Sequence, residues 1–210
     1  MKFNLITLTR PSILRSITTC CLFGSLLLNG CTLITPSPTL LRNPLPNDAI
    51  SDWNLKGKIG FRTKKEGGSA HVRWIQKEDN YEISLSGPLG QGAATITGDK
   101  HLVNLNSKQT GIIIAETPEQ LVYQAFGWQL PISNMFFWIK GIPTPLKTLT
   151  MSDLIYNTEG QLVSFTQDDW SIQYSRYRPV NGWLLPHKTI LRQGDIKVTL
   201  IVSKWDLQQN

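Results

Sequence analysis

From residue 53 onwards, hydrophobic and polar residues alternate along the chain. Between Trp53 and Phe61 every second residue is apolar or glycine, and Asn54, Lys56 and Lys58 lie between them. A period of two places the apolar residues on one face of a β-strand and the polar residues on the other. Similar segments, separated by turns rich in Gly, Pro and Asn, follow at 70–74, 81–85, 93–97, 102–106, 112–115, 153–156, 162–166, 170–177, 184–191 and 196–205. The pattern therefore predicts about eleven antiparallel strands.

Between the two groups of strands the period lengthens to that of a helix. Thr117 is a typical N-cap, proline follows at the first helical position, and Gly127 is placed to cap the C-terminus. A second short helix is predicted over 133–140, and it is apolar on nearly all sides. A curved sheet has to bury its apolar face, and these helices are its natural cover. We therefore expect a mainly β fold, in which one antiparallel sheet is covered by a short helical pair.

The first 30 residues have the composition of a secretory signal. Three cationic residues and no acidic residue accompany an apolar core of about twelve residues, at 17–28. A helix that spans a bilayer needs roughly 20 apolar residues, so an uncleaved transmembrane anchor is disfavoured. The string Leu28-Asn29-Gly30-Cys31 resembles the lipobox of bacterial lipoproteins, in which the chain is cut before the cysteine and that cysteine is acylated. We therefore expect residues 1–30 to be a cleaved signal peptide.

Acylation would consume the last free cysteine of the chain. Cys31 would carry a covalent diacylglycerol and a fatty acid such as palmitate, and we expect no other cofactor. Cys20 and Cys21 fall in the segment that is removed. The mature domain would then have no thiol, no disulfide and no cysteine metal site.

The segment after the cysteine predicts how the domain is attached. Residues 31–50 contain four prolines and no apolar period, which is typical of a semi-rigid tether. Residues 51–210 then form the folded domain. Thr32 stands where Asp retains enterobacterial lipoproteins in the inner membrane. By that analogy we expect a lipid anchor in the outer membrane, with the domain facing the periplasm.

Composition narrows the classes of function. The formal net charge is +6, and removal of the three cations of the signal leaves +3, without any run of Lys or Arg. Nucleic-acid binding is therefore not expected. His71, His101 and His187 do not pair with Cys or with each other at ligand spacing, so we expect no metal. No Gly-x-Ser-x-Gly elbow or phosphate loop occurs, and nothing in the sequence supports an enzyme or a set of catalytic residues.

Several strings carry a resemblance to a known family. They are WNLKGKIGFR at 53–62, GPLGQG at 87–92, GWQLPI at 127–132, FWIKGIP at 137–143, and two later segments at 185–191 and 196–205. In this order, and behind a lipobox, they resemble the LolB family of outer-membrane receptors, which take lipoproteins from the periplasmic carrier LolA. The resemblance covers residues from about 50 to 205.

The resemblance implies an open antiparallel half-barrel, with helices as a lid and an apolar cavity for acyl chains. The protein would accept lipoproteins from LolA, as a chaperone of lipoprotein transport, and insert them into the outer membrane. Its partners would be LolA, the acyl chains of cargo lipoproteins and outer-membrane lipid, and we expect a monomer. Because no nucleotide site is present, transfer should run downhill through differences in affinity.

The candidate site residues come from the same resemblance. Leu89 lies at the tip of a turn, where it gains nothing from the core, and it matches a protruding leucine of the family. Leu89, with Pro88 and Gly90, is therefore the candidate membrane-insertion loop. For the acyl-chain cavity we nominate apolar residues of the predicted strands and helices, namely Trp74, Ile83, Leu85, Phe126, Met135, Phe136, Trp138 and Ile139. Each of these is equally compatible with an ordinary core position, as apolar residues between a helix and a sheet usually are.

Two other functions remain open at this point. A structural envelope lipoprotein could use the same half-barrel as a docking surface that scaffolds an outer-membrane complex. A soluble carrier of the LolA kind would share the fold but lack an acylated cysteine, so Cys31 argues against it.

Overall fold

The computed structural model describes residues 47–90 and 92–207, which form one antiparallel sheet and two short helices. The strands are β1 (Trp53–Arg62), β2 (Gly67–Lys77), β3 (Asn80–Ser86), β4 (Ala94–Gly98), β5 (Val103–Ser107), β6 (Gly111–Ala115), β7 (Met151–Tyr156), β8 (Leu162–Gln167), β9 (Trp170–Val180), β10 (Trp183–Gln193) and β11 (Ile196–Leu207). The mainly β fold predicted from the alternation, with about eleven strands, is confirmed.

The strands form a single sheet that does not close. Their order is β6-β5-β4-β3-β2-β1-β11-β10-β9-β8-β7, so nearly every strand pairs with its neighbour in sequence. The exception is the pairing of β1 with β11, which joins the two ends of the folded domain at the centre of the sheet. Strands β6 and β7 are the two edges, and the chain that links them carries both helices. The sheet is therefore an open half-barrel.

The first of the two helices is held by the caps that the sequence predicts, whereas the second follows Pro131 without a side-chain cap. Helix α1 covers Pro118–Phe126, and the Thr117 hydroxyl accepts a bond from the Gln120 amide at 3.2 Å. Gly127 ends the helix with a φ of 69°, in the left-handed region that favours glycine. Helix α2 covers Ile132–Trp138 and is shorter at its C-terminus than the predicted 133–140. The Glu119 carboxylate accepts bonds from the Ser133 amide and hydroxyl at 2.7 and 3.1 Å, which ties α1 to α2.

Tryptophans dominate the core on the inner face of the sheet. The Trp53 ring contacts those of Trp74 and Trp205, with centroids 5.3 and 5.5 Å apart. These three residues come from the adjacent strands β1, β2 and β11 and are almost fully buried. The Trp cluster therefore fixes the centre of the sheet, where the first and last strands meet.

The described chain begins with residues that pack on the domain, although the sequence assigns them to the tether. A 3-10 turn covers Asn47–Ala49, and Ile50 is buried. The Asn47 side-chain amide donates to the backbone carbonyls of Lys140 and Leu184 at 2.7 and 3.0 Å. The predicted signal peptide, Cys31 and the predicted tether up to residue 46 lie outside the described residues. Within the described part, no helix is both long and apolar enough to cross a membrane.

We predict that position 57 requires glycine because of the pairing between β1 and β11. The register of this pair shifts between Lys56 and Gly57, and a Cβ at Gly57 would overlap the backbone carbonyl of Ile201. We expect Gly57→Ala to lower the free energy of unfolding by about 1–3 kcal/mol, the usual cost of overpacking. Urea unfolding followed by tryptophan fluorescence measures this change.

The matched control for position 57 is Gly68→Ala on the neighbouring strand β2. A Cβ at Gly68 meets no atom within 4 Å, so this substitution should be tolerated. If the two variants unfold at the same urea concentration, the backbone overlap at Gly57 is not a constraint on the fold.

Candidate apolar binding cavity

A cavity of about 360 Å³ lies between the inner face of the sheet and the helical lid. This volume falls within the roughly 300–1,000 Å³ of typical small-molecule sites. Most of its lining is aliphatic or aromatic. The sheet contributes Ile59, Phe61, Ala70, Val72, Trp74, Ile83, Leu85, Ala94, Ile96, Val198 and Leu200, and the lid contributes Leu121, Val122, Phe126, Trp128, Leu130, Ile132 and Met135. The walls therefore favour an apolar ligand.

The cavity contains almost no charge. Glu66 is the one acidic or basic residue among those that line it, and its carboxylate accepts a hydrogen bond from the Trp128 indole at 2.9 Å. Tyr81 also lines the cavity, and burial, reinforced by the negative charges of Glu119 and Asp99, raises the pKa of its hydroxyl. Tyr81 is consequently neutral at physiological pH. An ionic ligand would find little compensation here for the loss of its water.

The cavity opens at one end of the sheet. Its buried lining residues, such as Trp74, Ile83 and Met135, lie towards the interior. Its exposed lining residues include Gly67, at the start of β2, and Gln109, just after β5. These strand ends lie at the same end of the antiparallel sheet, as the pairings of β1 to β5 require. We call this opening the mouth.

Stacked aromatic rings border the mouth. The Trp128 ring stacks on Phe61 of β1 with centroids 3.8 Å apart, and on Phe126 of α1 at 5.1 Å. The bond from the Trp128 indole to Glu66 fixes the orientation of the central ring. Phe126 remains 38% exposed, so the stack presents an apolar surface to whatever enters.

Five of the eight residues nominated for the cavity line it, namely Trp74, Ile83, Leu85, Phe126 and Met135. They come from β2, β3, α1 and α2. The alternation along β2 and β3 and the helical spacing of α1 and α2 bring them to a shared space, although they are far apart in sequence.

The other three nominated residues do not line the cavity and lie in the core behind its lining residues. Phe136 packs against the rings of Trp74 and Tyr81, with centroids 5.1 and 5.0 Å apart. Trp138 and Ile139 are almost completely buried outside the lining. A short helix that is apolar all round turns only one side to the cavity, and the rest of it is core.

Sequence reasoning missed much of the wall. Ile59, Phe61, Val198 and Leu200 lie on the inward face of β1 and β11, at the same parity as the nominated sheet residues. The alternation could have identified their face of the sheet. It could not distinguish the inward residues that border the space from those that fill the core.

The candidate insertion loop lies at the mouth. Pro88–Gly90 is a 3-10 turn between β3 and β4, and the Gly90 amide donates to the Gly87 carbonyl at 3.1 Å. Gly92, which follows closely, lines the cavity. The side chain of Leu89 lies outside what the structure describes.

Within residues 47–90 and 92–207, no group of three His, Cys, Asp or Glu side chains is arranged to hold a metal ion. His71 and His101 are exposed on the surface. His187 is buried, and burial lowers the pKa of its imidazole, although Nδ1 lies 3.3 Å from the Leu185 carbonyl.

Sequence comparison identifies the family to which this half-barrel belongs. The family model described as "Outer membrane lipoprotein LolB" matches residues 51–205, which is nearly all of the folded domain. The chain belongs to the LolB family. The family is one of lipoprotein sorting at the outer membrane and not of enzymes, as the resemblance implied.

Curated members of the LolB family align over most of the chain. The outer-membrane lipoprotein LolB of Stutzerimonas stutzeri is 35% identical over 208 residues, which cover 94% of this chain and 98% of that protein. LolB of Pseudomonas paraeruginosa is 38% identical over 160 residues, 76% of this chain and 77% of its own. These matches extend the outer-membrane location and the lipoprotein character to the present protein.

The fold recurs in a solved structure of very different sequence. A DUF1329 family protein from Desulfovibrio piger superposes with a TM-score of 0.51 at 6% identity, over 77% of this chain and 88% of that one. At this identity the likeness concerns the fold alone.

Because Trp138 belongs to the core, we predict a stability role for its hydrogen-bond partner Gln167. The Gln167 side-chain oxygen accepts bonds from the Trp138 indole at 2.8 Å and the Thr144 amide at 2.9 Å, and its nitrogen donates to the Thr144 carbonyl at 3.0 Å. Gln167→Leu leaves three buried polar groups unpaired. At about 1–3 kcal/mol for each such group, we expect a loss of roughly 3 kcal/mol or more in the free energy of unfolding.

Thermal and urea unfolding measure how much the hydrogen bonds of Gln167 contribute to the free energy of unfolding. The control is Gln124→Leu, at an exposed site on α1. The control should change the unfolding free energy by less than about 0.5 kcal/mol, as surface substitutions usually do. Equal stabilities of the two variants would show that the buried amide is dispensable.

Proposed function

We propose that the protein receives lipoproteins from the periplasmic carrier LolA, holds their acyl chains in the apolar cavity, and releases them into the outer membrane. In this proposal the protein acts as a monomer, and its own acylated Cys31 anchors it to the same membrane. The observation that carries the proposal is an apolar cavity of about 360 Å³ with an open mouth, in a member of the LolB family.

The physical reason for such a cavity is the cost of exposing acyl chains to water. Each CH₂ group costs about 0.8 kcal/mol to expose, so a chain of roughly 16 carbons costs on the order of 12 kcal/mol. A lipoprotein therefore cannot cross the periplasm unaided. If the cavity of the receptor binds the chains more tightly than the carrier does, the chains transfer from carrier to receptor without an energy source.

Release is assigned to the end of the sheet that carries the mouth. The Pro88–Gly90 turn connects two strands whose ends border the opening, and Gly92 beside it lines the cavity. Insertion of one leucine side chain into lipid is worth roughly 1.5–3 kcal/mol. That is enough to favour contact between the loop and the bilayer, yet too little to trap the domain there. Acyl chains leaving through the mouth would then enter lipid rather than water.

We predict that a bulky side chain inside the cavity competes with acyl chains. Ala70 on β2 lines the cavity, and Ala70→Phe should fill part of its free volume. We expect the affinity for a fluorescent fatty acid to fall at least about tenfold, which corresponds to ~1.4 kcal/mol. Titration of the purified protein with the probe gives the dissociation constant.

Thr97→Phe is the control for Ala70→Phe. Thr97 is exposed on the outer face of β4, so this substitution adds the same ring outside the cavity. It should bind the probe like the unmodified protein. If Ala70→Phe is folded and binds equally well, acyl chains do not occupy this cavity.

We predict that Leu89→Glu separates acceptance from delivery. A carboxylate at the turn opposes insertion into lipid but leaves the cavity walls unchanged. The variant should still take a lipoprotein from LolA, while transfer from the variant to liposomes should fall at least about tenfold, in line with the loss of ~1.4 kcal/mol or more. Pull-down of the receptor–cargo complex and liposome flotation measure the two steps.

The control for the insertion step is Leu102→Glu. Leu102 is an exposed leucine beside a turn, and that turn joins β4 to β5 at the end of the sheet away from the mouth. Delivery should be normal in this variant. Normal delivery by Leu89→Glu as well would remove the turn from the release step.

A further inference from the structure

The outer face of the central sheet carries like charges in direct cross-strand register. Lys56 of β1 lies opposite Lys204 of β11 on one side and Arg73 of β2 on the other. All three side chains are exposed, at positions that alternate with buried inward residues. Like charges that are directly opposite on neighbouring strands destabilise a sheet, so this row costs folding energy.

Two further rows nearer the mouth also carry cations. Lys58 of β1 and Lys188 of β10 both pair with Ile201 of β11, which lies between them. The last row is again wholly cationic, since Lys197 of β11 lies opposite both Arg62 of β1 and Arg192 of β10. We call the outward surface formed by these three rows the basic face.

The strands of the basic face carry few acidic residues. On the strands that form it and on β3, the described acidic residues are Glu82 and Asp206, and both lie beyond the row farthest from the mouth. The two ion pairs found among the described residues involve none of its cations. Roughly 20 Å of sheet, measured along β1 from Lys56 to Arg62 at 3.4 Å per residue, is therefore positive.

A groove in the basic face leads to the candidate insertion loop. Its volume is about 440 Å³, and its ionisable lining consists of Lys56, Arg73 and His71, with serine and threonine hydroxyls between them. The groove reaches Ser86, the last residue of β3, immediately before the connection that contains Pro88–Gly90. The positive surface is thus continuous with the turn at the mouth.

We propose that the basic face rests on the phosphate groups of an anionic lipid bilayer. Basic side chains bind anionic bilayers through charge, without a shaped partner surface. Cations spread over several strands suit a plane of mobile phosphates, whereas the centre of a protein interface usually holds aromatic anchors in pockets. Family membership places the chain at the outer membrane, and the connection to the turn would bring the mouth to the same bilayer. This inference does not depend on occupancy of the cavity.

The test measures the reactivity of individual lysines in the full-length lipidated protein, without cargo or carrier. The protein is reconstituted into vesicles of phosphatidylcholine alone or with phosphatidylglycerol, and acetylation of each lysine is followed by mass spectrometry. Acetylation of Lys56, Lys58 and Lys204 should slow at least about threefold in the anionic vesicles and recover at 0.5 M salt, because salt screens charge at this range. Lys77 and Lys100, near the opposite end of the sheet, should react equally in both vesicles.

A matched pair of double variants completes the test. In Lys56→Gln/Lys204→Gln, protection of the remaining Lys58 and Lys188 should be lost, whereas Lys77→Gln/Lys100→Gln should retain it. Removal of repelling charges should not unfold the first variant, and circular dichroism checks this. Equal reactivity of the basic face in both vesicles overturns the proposal. So does a Lys56→Gln/Lys204→Gln protein that keeps its membrane protection but loses affinity for LolA, because the face would then serve an acidic protein.

Discussion

The structure depends on a mismatch between its sheet and its cover. Eleven strands present a wide apolar inner face, whereas α1 and α2 have nine and seven residues, or roughly 13 and 10 Å of helix. On the side of β8 to β10, Trp138 and Ile139 at the end of the lid pack into a filled core with Phe165 and Ile172. On the side of β1 to β5, the same lid leaves space. The cavity is therefore what remains when a short lid covers a long curved sheet, and its apolar walls follow from the alternation that builds the strands.

The lid is fastened unequally at its two ends. Behind the cavity its contacts are buried: the Trp138 indole bonds to Gln167, and the Lys140 ammonium donates to the Ile50 carbonyl at 3.0 Å. Burial lowers the pKa of Lys140, against the opposing charge of Asp48. At the mouth the polar contact is the exposed bond between Trp128 and Glu66. Water can replace an exposed bond at little cost, whereas a broken buried bond leaves unsatisfied groups. The lid is consequently easier to displace at the mouth than at its buried end.

Most of the fold could be predicted from the sequence, because each strand carries its own alternation and each cap its own residues. Thr117 and Gly127 end α1 as their residue types predict, and Glu119 ties α1 to α2. The site could be predicted only in part. Alternation and helical spacing give the side of an element that faces inward, and five nominated residues line the cavity on that basis. The boundary between filled core and cavity is set by contacts between segments that are distant in sequence. For this reason Phe136 packs behind Trp74 and does not line the cavity.

Alternation does not determine which polar residues occupy the outward positions of the same strands, because any polar side chain can be solvated there. Folding alone would therefore favour mixed charges there, and in the turns between strands Lys64 does pair with Asp195, and Lys100 with Asp79. The central strands instead repeat cations in register, from Lys204 and Lys56 across to Arg73, and β1 bears this repulsion on both sides. The pairing of β1 with β11 is where the Trp cluster anchors the domain, so the Trp cluster of the inner face lies beneath the row of like charges on the outer face. A core of that strength can support a charge pattern that brings the fold no benefit. This is the physical ground for our proposal that the outer face meets anionic lipid.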